Sequence, residues 1–281
     1  MTSRPDRAPA SRSRFLGLAA LALLAAATLA PAARAQAPLA GTGVIVMHGK
    51  GGGPDRLVRG LAASLADKGA VVANLDMPWS GRRDYDVDVA AADAEIAAAL
   101  QSLRGQGAKK VFVAGHSQGG VFALHVGGRH AVDGIVAIAP GGNVANQVFR
   151  QQLGPSVDLA RRLVAEGKGD EKVQLLDYEN ARGAYPIVTT PAIYLAWFDP
   201  EGAMNQVKAS RAMNPAVPVL FIVPSGDYPG LLRVRQQMYD ALPRNPLTRL
   251  YEPAADHRGA PAASREEVAR WIAEVAAQAA R

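Results

Sequence analysis

The chain has 281 residues, no cysteine, 31 basic and 25 acidic side chains, and a hydrophobic content of 49%. Without cysteine it forms neither disulfides nor thiolate metal sites, so its stability has to come from a packed core. Residues 1–35 hold five of the arginines and one of the aspartates, which leaves 26 basic against 24 acidic residues. A net charge of about +2 gives no footing for nucleic acid or an anionic membrane as a partner.

The chain opens with Arg4, Arg7, Arg12 and Arg14 ahead of an apolar stretch from Phe15 to Ala30, and Ala33-Arg34-Ala35 follows with small residues. This pattern predicts a signal peptide over 1–35, cleaved after Ala35, and a periplasmic or secreted protein beginning at Gln36. The apolar stretch is short for a spanning helix, so an uncleaved membrane anchor is the lesser alternative, and no stable membrane span is expected after cleavage. Ser11-Arg12-Ser13-Arg14-Phe15-Leu16 resembles a twin-arginine signal with Ser13 between the arginines, which leaves both that route and the general secretory route open. The remaining stretch of about 246 residues suffices for one domain with a substantial core.

Val44–Met47 reads as a strand that runs into His48-Gly49-Lys50-Gly51-Gly52-Gly53. A loop so rich in glycine lets backbone approach a substrate closely. Neither G-x-x-x-x-G-K-[ST] nor G-x-G-x-x-G follows that strand, so a phosphate cradle is not predicted. Next come a helix over 56–68, with Leu57, Leu61 and Leu65 on one face and Gly69 at its end, a strand over 70–75, and an alanine-rich helix over 87–104. Arg82 and Arg83 lie in the loop between the last two, where they either meet an anionic substrate or are simply solvated.

The apolar run Val111-Phe112-Val113-Ala114, within a strand over 110–114, leads into Gly115-His116-Ser117-Gln118-Gly119 and then a helix-like segment. A G-x-S-x-G turn between strand and helix exposes its serine at the carboxyl edge of a sheet, which makes Ser117 the candidate nucleophile. Its alternative is an ordinary glycine-rich turn. A strand over 134–139 precedes the longest insertion, residues 141–216, predicted to be a small helical cap. Within it Tyr194, Trp197 and Phe198 share one helical face after Thr190-Pro191. Such a stripe is either packing or a pocket wall, and Tyr194 and Trp197 are carried forward as candidate substrate-binding residues.

Pro218–Val223 is a β-rich apolar run suited to a strand buried on both faces, and Pro224-Ser225-Gly226-Asp227 breaks it. A last strand over 247–251 precedes the polar turn that holds His257. The closing helix begins at the capping box Ser264-Arg265-Glu266-Glu267 and continues with Val268, Ile272 and Val275 at helical spacing.

A serine needs an imidazole to take its proton and a carboxylate to orient that imidazole. After such an elbow the partners should follow in the order acid, then histidine. Of His48, His116, His125, His130 and His257, only His257 comes after an acid-bearing strand. Asp227 is the preferred acid; Asp256 is its main rival, with Asp199 and Asp240 behind. The candidate oxyanion donors are the backbone amide of Gln118 and that of Lys50 or Gly51. No H-E-x-x-H or paired acidic motif is present, so no metal and no other cofactor is expected.

From the His48-Gly49 loop through Gly115-His116-Ser117-Gln118-Gly119 to Asp227 and His257, the chain resembles the α/β-hydrolase superfamily. Asp76-Met77-Pro78-Trp79-Ser80-Gly81 is similar to the family's D-x-P-G-x-G loop, except that Trp79 replaces a glycine and could project its ring toward the site. Trp79 therefore joins the candidate substrate-binding residues. A second departure puts Pro224 where a glycine is usual. The resemblance implies that His48 and His116 are structural, and that 36–281 form one α/β domain with a mostly parallel sheet flanked by helices. So few residues precede the first strand that the family's opening antiparallel hairpin is missing, leaving about six strands. It also implies cofactor-free hydrolysis of a small-molecule or acyl substrate, a carboxylic ester first, with amides and thioesters as alternatives. A binding protein that kept the fold without turnover is the alternative of another class.

Overall fold

The first strand, β1 (Thr42–Met47), is buried along its whole length. Ile45 and Met47 join one hydrophobic layer and Val44 and Val46 the other, as the two-residue period of a strand requires. In this computed structural model, which describes residues 1–2 and 37–278, β1 is followed by α1 (Arg59–Asp67), β2 (Val71–Leu75), α2 (Val89–Gly105), β3 (Lys110–His116), α3 (Gln118–Gly127) and β4 (Gly134–Ile138). The expected leader, its expected cleavage site after Ala35 and the expected terminus at Gln36 lie outside the described residues. The insertion contains α4 (Gln147–Ala165), β5 (Val173–Glu179), β6 (Gly183–Thr189), α5 (Pro191–Phe198) and α6 (Gln206–Arg211). The chain then returns with β7 (Val219–Ile222), α7 (Pro229–Asp240), β8 (Arg249–Tyr251), α8 (Ala260–Ala263) and α9 (Arg265–Gln278).

Six strands form one sheet in the order β2-β1-β3-β4-β7-β8, and every pairing in it is parallel. Parallel neighbours need crossover connections, so helices cover both faces. Leu61 and Leu65 of α1 and Val268, Trp271 and Ile272 of α9 pack against Phe112, Val136 and Leu220 on one side. On the other, Ile96 and Leu100 of α2 and Phe122 of α3 pack against Val113, Ile135 and Phe221. From β1 the chain steps one way to β2 and then back past β1 to β3. The loops leaving β1 and β3 therefore diverge at a crevice on the carboxyl edge, where sheets of this kind bind ligands.

The insertion departs from the helical cap expected over 141–216. Between α4 and α5 it folds into an antiparallel hairpin, β5 paired with β6 from Val173↔Thr189 to Glu179↔Gly183. The inward positions of that hairpin are Leu175, Asp177, Ile187 and Thr189. A charged residue on the buried face and Pro186 in the second strand hide the alternation that marks a strand.

Trp79, Tyr194 and Trp197 do not reach a substrate surface, which corrects their assignment as binding residues. Each is at most 1% exposed, and each polar end is already bonded inside the protein. The Trp79 indole donates to His48 O (2.9 Å), the Trp197 indole to Val87 O (2.8 Å) and the Tyr194 hydroxyl to Leu176 O (2.6 Å). Trp79 meets Phe122 and Trp197 edge-on at 5.4 and 5.5 Å. This aromatic cluster packs the cap onto α3 and the loop after β2.

The capping box at Ser264 does not form either. α8 runs almost directly into α9, Ser264 has helical backbone angles, and its buried hydroxyl has no partner among the described residues. Glu267 instead bonds Arg249 and Arg270.

Candidate active site

β3 ends at His116, and the next residue turns sharply into α3. Ser117 adopts φ 55° and ψ −117°, a sparsely populated positive-φ conformation that costs an L-residue about 1–3 kcal/mol. The turn is possible only because its flanks lack side chains. A Cβ on Gly115 would lie 2.0 Å from Gly119 O, and one on Gly119 would lie 2.7 Å from His48 O. The Ser117 amide donates to Ile138 O at 2.9 Å, which fixes the elbow to the neighbouring strand.

The sheet brings Ser117, Asp227 and His257 from three strand ends to one place. His257 Nε2 is 3.0 Å from Ser117 Oγ, and His257 Nδ1 is 2.7 Å from Asp227 Oδ1. An ionised carboxylate only accepts, so Nδ1 carries the proton and donates it to Asp227. Nε2 is then the acceptor for the serine hydroxyl. Asp227 is oriented by the Tyr228 amide, which donates to Oδ1 at 2.7 Å, and the Tyr228 ring lies 4.7 Å from the imidazole.

The rival carboxylates are engaged elsewhere. Asp256 accepts from the Gly259 amide at 2.6 Å, a turn at the start of α8. Asp199 is bonded by Arg161 and Asp240 by Gln236. Arg82 pairs with Asp76, and Arg83 with Asp86 and Glu95, so this pair of arginines is spent on ion pairs within the chain.

The loop after β1 distinguishes the two candidate oxyanion donors. The Gly51 amide donates to Trp79 O at 2.8 Å and is unavailable. Among the described residues the amides of Lys50 and Gln118 have no backbone acceptor outside helices and strands. Lys50, Gln118, Ser117 and His257 all line one cavity of about 100 Å³. Its remaining wall includes Asn143, Phe149, Tyr178, Tyr228 and Leu231, which the sequence reading missed. Phe149 and Tyr178 come from the cap, and Tyr228 and Leu231 from the stretch after β7, where no local pattern separates a pocket residue from a packing one.

Four histidines outside this group have other tasks. Burial lowers the pKa of His48, whose Nδ1 donates to Gly49 O and whose Nε2 accepts from the Met77 amide. His116 donates to His257 O at 2.9 Å, and burial, reinforced by the neighbouring His257, lowers its pKa to about 3. Burial also holds His125, stacked on Phe122, at about 4, with Arg129 adding to the shift. His130 pairs with Asp93.

Both His116 and His125 ionise near 6.5 once unfolded. Below that pH the unfolded chain binds protons that the folded one does not, so stability falls with acid. For each histidine the loss approaches about 1.4 kcal/mol per pH unit, continuing to about 4 for His125 and about 3 for His116. The urea midpoint is therefore expected to drop from pH 7 to pH 5, whereas a midpoint constant over that range contradicts neutral burial.

A parallel sheet with a strained serine elbow at its switch point and a histidine and an acid delivered by the last two strands is the architecture of an α/β hydrolase. The chain belongs to the alpha/beta hydrolase family, whose model matches residues 44–277. No curated protein is significantly similar to it in sequence. Among solved structures it resembles the monoacylglycerol lipase of Paleococcus ferrophilus, with TM-score 0.58, 19% identity, and coverage of 83% of this chain and 94% of the lipase. A thermostable carboxyl esterase from Bacillus coagulans gives TM-score 0.55 at 17% identity, covering 83% and 88%. The alpha/beta hydrolase GrgF of a Penicillium species gives 0.63 at 13%, covering 83% and 88%. At these identities the likeness is one of fold.

Proposed function

We propose that the protein is an exported serine hydrolase that cleaves a small carboxylic ester through an acyl-enzyme. The observation that carries this reading is the chain of contacts Ser117 Oγ, His257 Nε2 and Asp227 Oδ1 opening into the cavity. Ser117 attacks the ester carbonyl while His257 takes its proton, and Asp227 holds the imidazole and stabilises its charge. The amides of Lys50 and Gln118 stabilise the tetrahedral oxyanion. Collapse breaks the bond to the alcohol, which leaves with the proton from His257. Water activated by the same imidazole then attacks the acyl-serine, releasing the acid and restoring the hydroxyl.

A cavity of about 100 Å³ is small beside drug-sized pockets of about 300–1,000 Å³, which favours short acyl groups. Esterase and lipase names among the structural neighbours support an ester over an amide or thioester. Among the described residues no helix is long and apolar enough to cross a membrane. Export rests on the leader pattern of residues 1–35, with a periplasmic or secreted product beginning at Gln36.

A fluorophosphonate probe tests the reading, because it reacts only with an activated, accessible serine. Labelling at Ser117, with turnover of p-nitrophenyl acetate exceeding that of longer esters, is the expected result. A folded protein that is neither labelled nor active on any ester returns the fold to the class of binding proteins.

A further inference from the structure

Both candidate oxyanion residues are tied by their side chains to a single carboxylate in the cap. Lys50 Nζ donates to Asp177 Oδ1 at 2.5 Å and to Tyr178 O at 3.1 Å. Its ammonium also lies over the rings of Phe149 and Phe198, 5.4 and 5.5 Å from their centroids. Asp177 Oδ2 accepts from the hydroxyls of Tyr85 (3.1 Å) and Tyr185 (2.9 Å). Tyr85 has one hydroxyl proton, and it is donated in the hydrogen bond to the carboxylate. Its oxygen is left to accept from Gln118 Nε2 at 3.3 Å. Burial and the Asp177 charge push both phenols well above the usual tyrosine range, so they remain donors. One hairpin carboxylate thus reaches the loop after β1 directly and the first residue of α3 through one phenol.

This arrangement is costly and complete. The Asp177 side chain is fully buried and that of Lys50 is 8% exposed. A buried ion pair is a weak source of stability, often replaceable by apolar side chains without loss, and its best use is to fix one arrangement over others. Here the carboxylate takes four donors, the fourth being the Tyr178 amide at 2.6 Å. Tyr85 pays a further backbone cost with φ 57°, next to Asp84 at φ 47°. It is held there by its amide on Pro78 O (2.7 Å) and by Thr189 of the hairpin, whose hydroxyl donates to Tyr85 O at 2.9 Å.

We propose that Asp177 is a positioning residue: through Lys50, and through Tyr85 to Gln118, it aims the two backbone amides at the oxyanion. The inference rests on the serine-hydrolase reading above. Asp177 itself touches neither the nucleophile nor the imidazole. Its effect falls on the transition state, where the oxyanion forms, and not on the resting ester.

The test compares wild type, Asp177→Asn and Tyr85→Phe on p-nitrophenyl acetate, with a trifluoromethyl ketone as tetrahedral analogue. Losing one oxyanion donor costs about 10²–10³ in kcat; misaiming donors that are still present should cost less. We expect Asp177→Asn to lower kcat by about 10–100-fold with KM within threefold, and to weaken the ketone by the same factor. Tyr85→Phe, which keeps the ring but removes both the link to Gln118 and one donor to Asp177, should lose about three- to tenfold in both. A merely structural role would raise KM or lower the melting temperature without this parallel. If Asp177→Asn does not fold, Tyr85→Phe decides alone. Wild-type kcat and ketone affinity in whichever variant folds, or a kcat loss that leaves ketone affinity unchanged, overturns the proposal. Wild type that is neither labelled by fluorophosphonate nor active fails the underlying reading instead, so the two failures are distinguishable.

Discussion

Ser117→Ala should abolish fluorophosphonate labelling and reduce ester turnover by about 10⁶-fold, the scale found when a triad nucleophile is deleted. The hydroxyl lies at a half-buried elbow and, among the described residues, its one side-chain hydrogen bond is with His257, so little packing is lost. The elbow backbone is fixed by Gly115, Gly119 and the bond to Ile138 O, none of which needs the hydroxyl. Alanine at φ 55° carries the same strain that serine does. Near-wild-type melting with no labelling is therefore the expected combination. Turnover that survives in a folded alanine variant would remove Ser117 from the mechanism, whatever the fate of the fold.

Asp227→Asn comes next in size, with an expected loss of about 10⁴ in kcat. The amide can present its NH₂ to His257 Nδ1, which favours the tautomer with its proton on Nε2. That proton then faces the serine, and the imidazole cannot act as base. Asp256→Asn should change kcat by less than about tenfold, since Asp256 bonds the Gly259 amide and not the imidazole. Measuring both variants on one ester near neutral pH ranks the two carboxylates. The opposite ranking would transfer the orienting role to Asp256 and leave Ser117 and His257 where they are.

Much of this was legible from local pattern. Unbroken apolar runs of four to six residues marked the central strands. The glycines of Gly115-His116-Ser117-Gln118-Gly119 announced a close strand-to-helix approach, and the observed clashes of any Cβ there give the reason. The meeting of Ser117, Asp227 and His257 follows from topology, because each lies in the segment after a strand whose carboxyl edge faces the same crevice. Where local pattern misled, the surroundings of the residue in the fold were responsible. Ser264 has the spacing of a capping box, but α8 runs into α9 and leaves no free helix start for it to cap. Trp79 stands in a loop near the site, but the acceptor for its indole is His48 O inside the core. Tyr194 and Trp197 share a helical face that packs against the molecule instead of lining the cavity.

By itself the sequence determined the parallel sheet, the elbow, and the succession of groups that the sheet would gather, because these depend on two-residue and helical periods and on glycine at fixed offsets. Only the tertiary structure decided the hairpin in the cap and what holds the loop after β1. Asp177 occupies an inward strand position where an apolar residue would have made the alternation visible. Its burial becomes tolerable through Lys50, which lies 127 positions earlier in the chain, and through two tyrosines brought to it from separate elements. A charge buried at that cost leaves no periodic mark, since Tyr185 meets it across the hairpin but Lys50 and Tyr85 meet it only where the cap packs on the sheet.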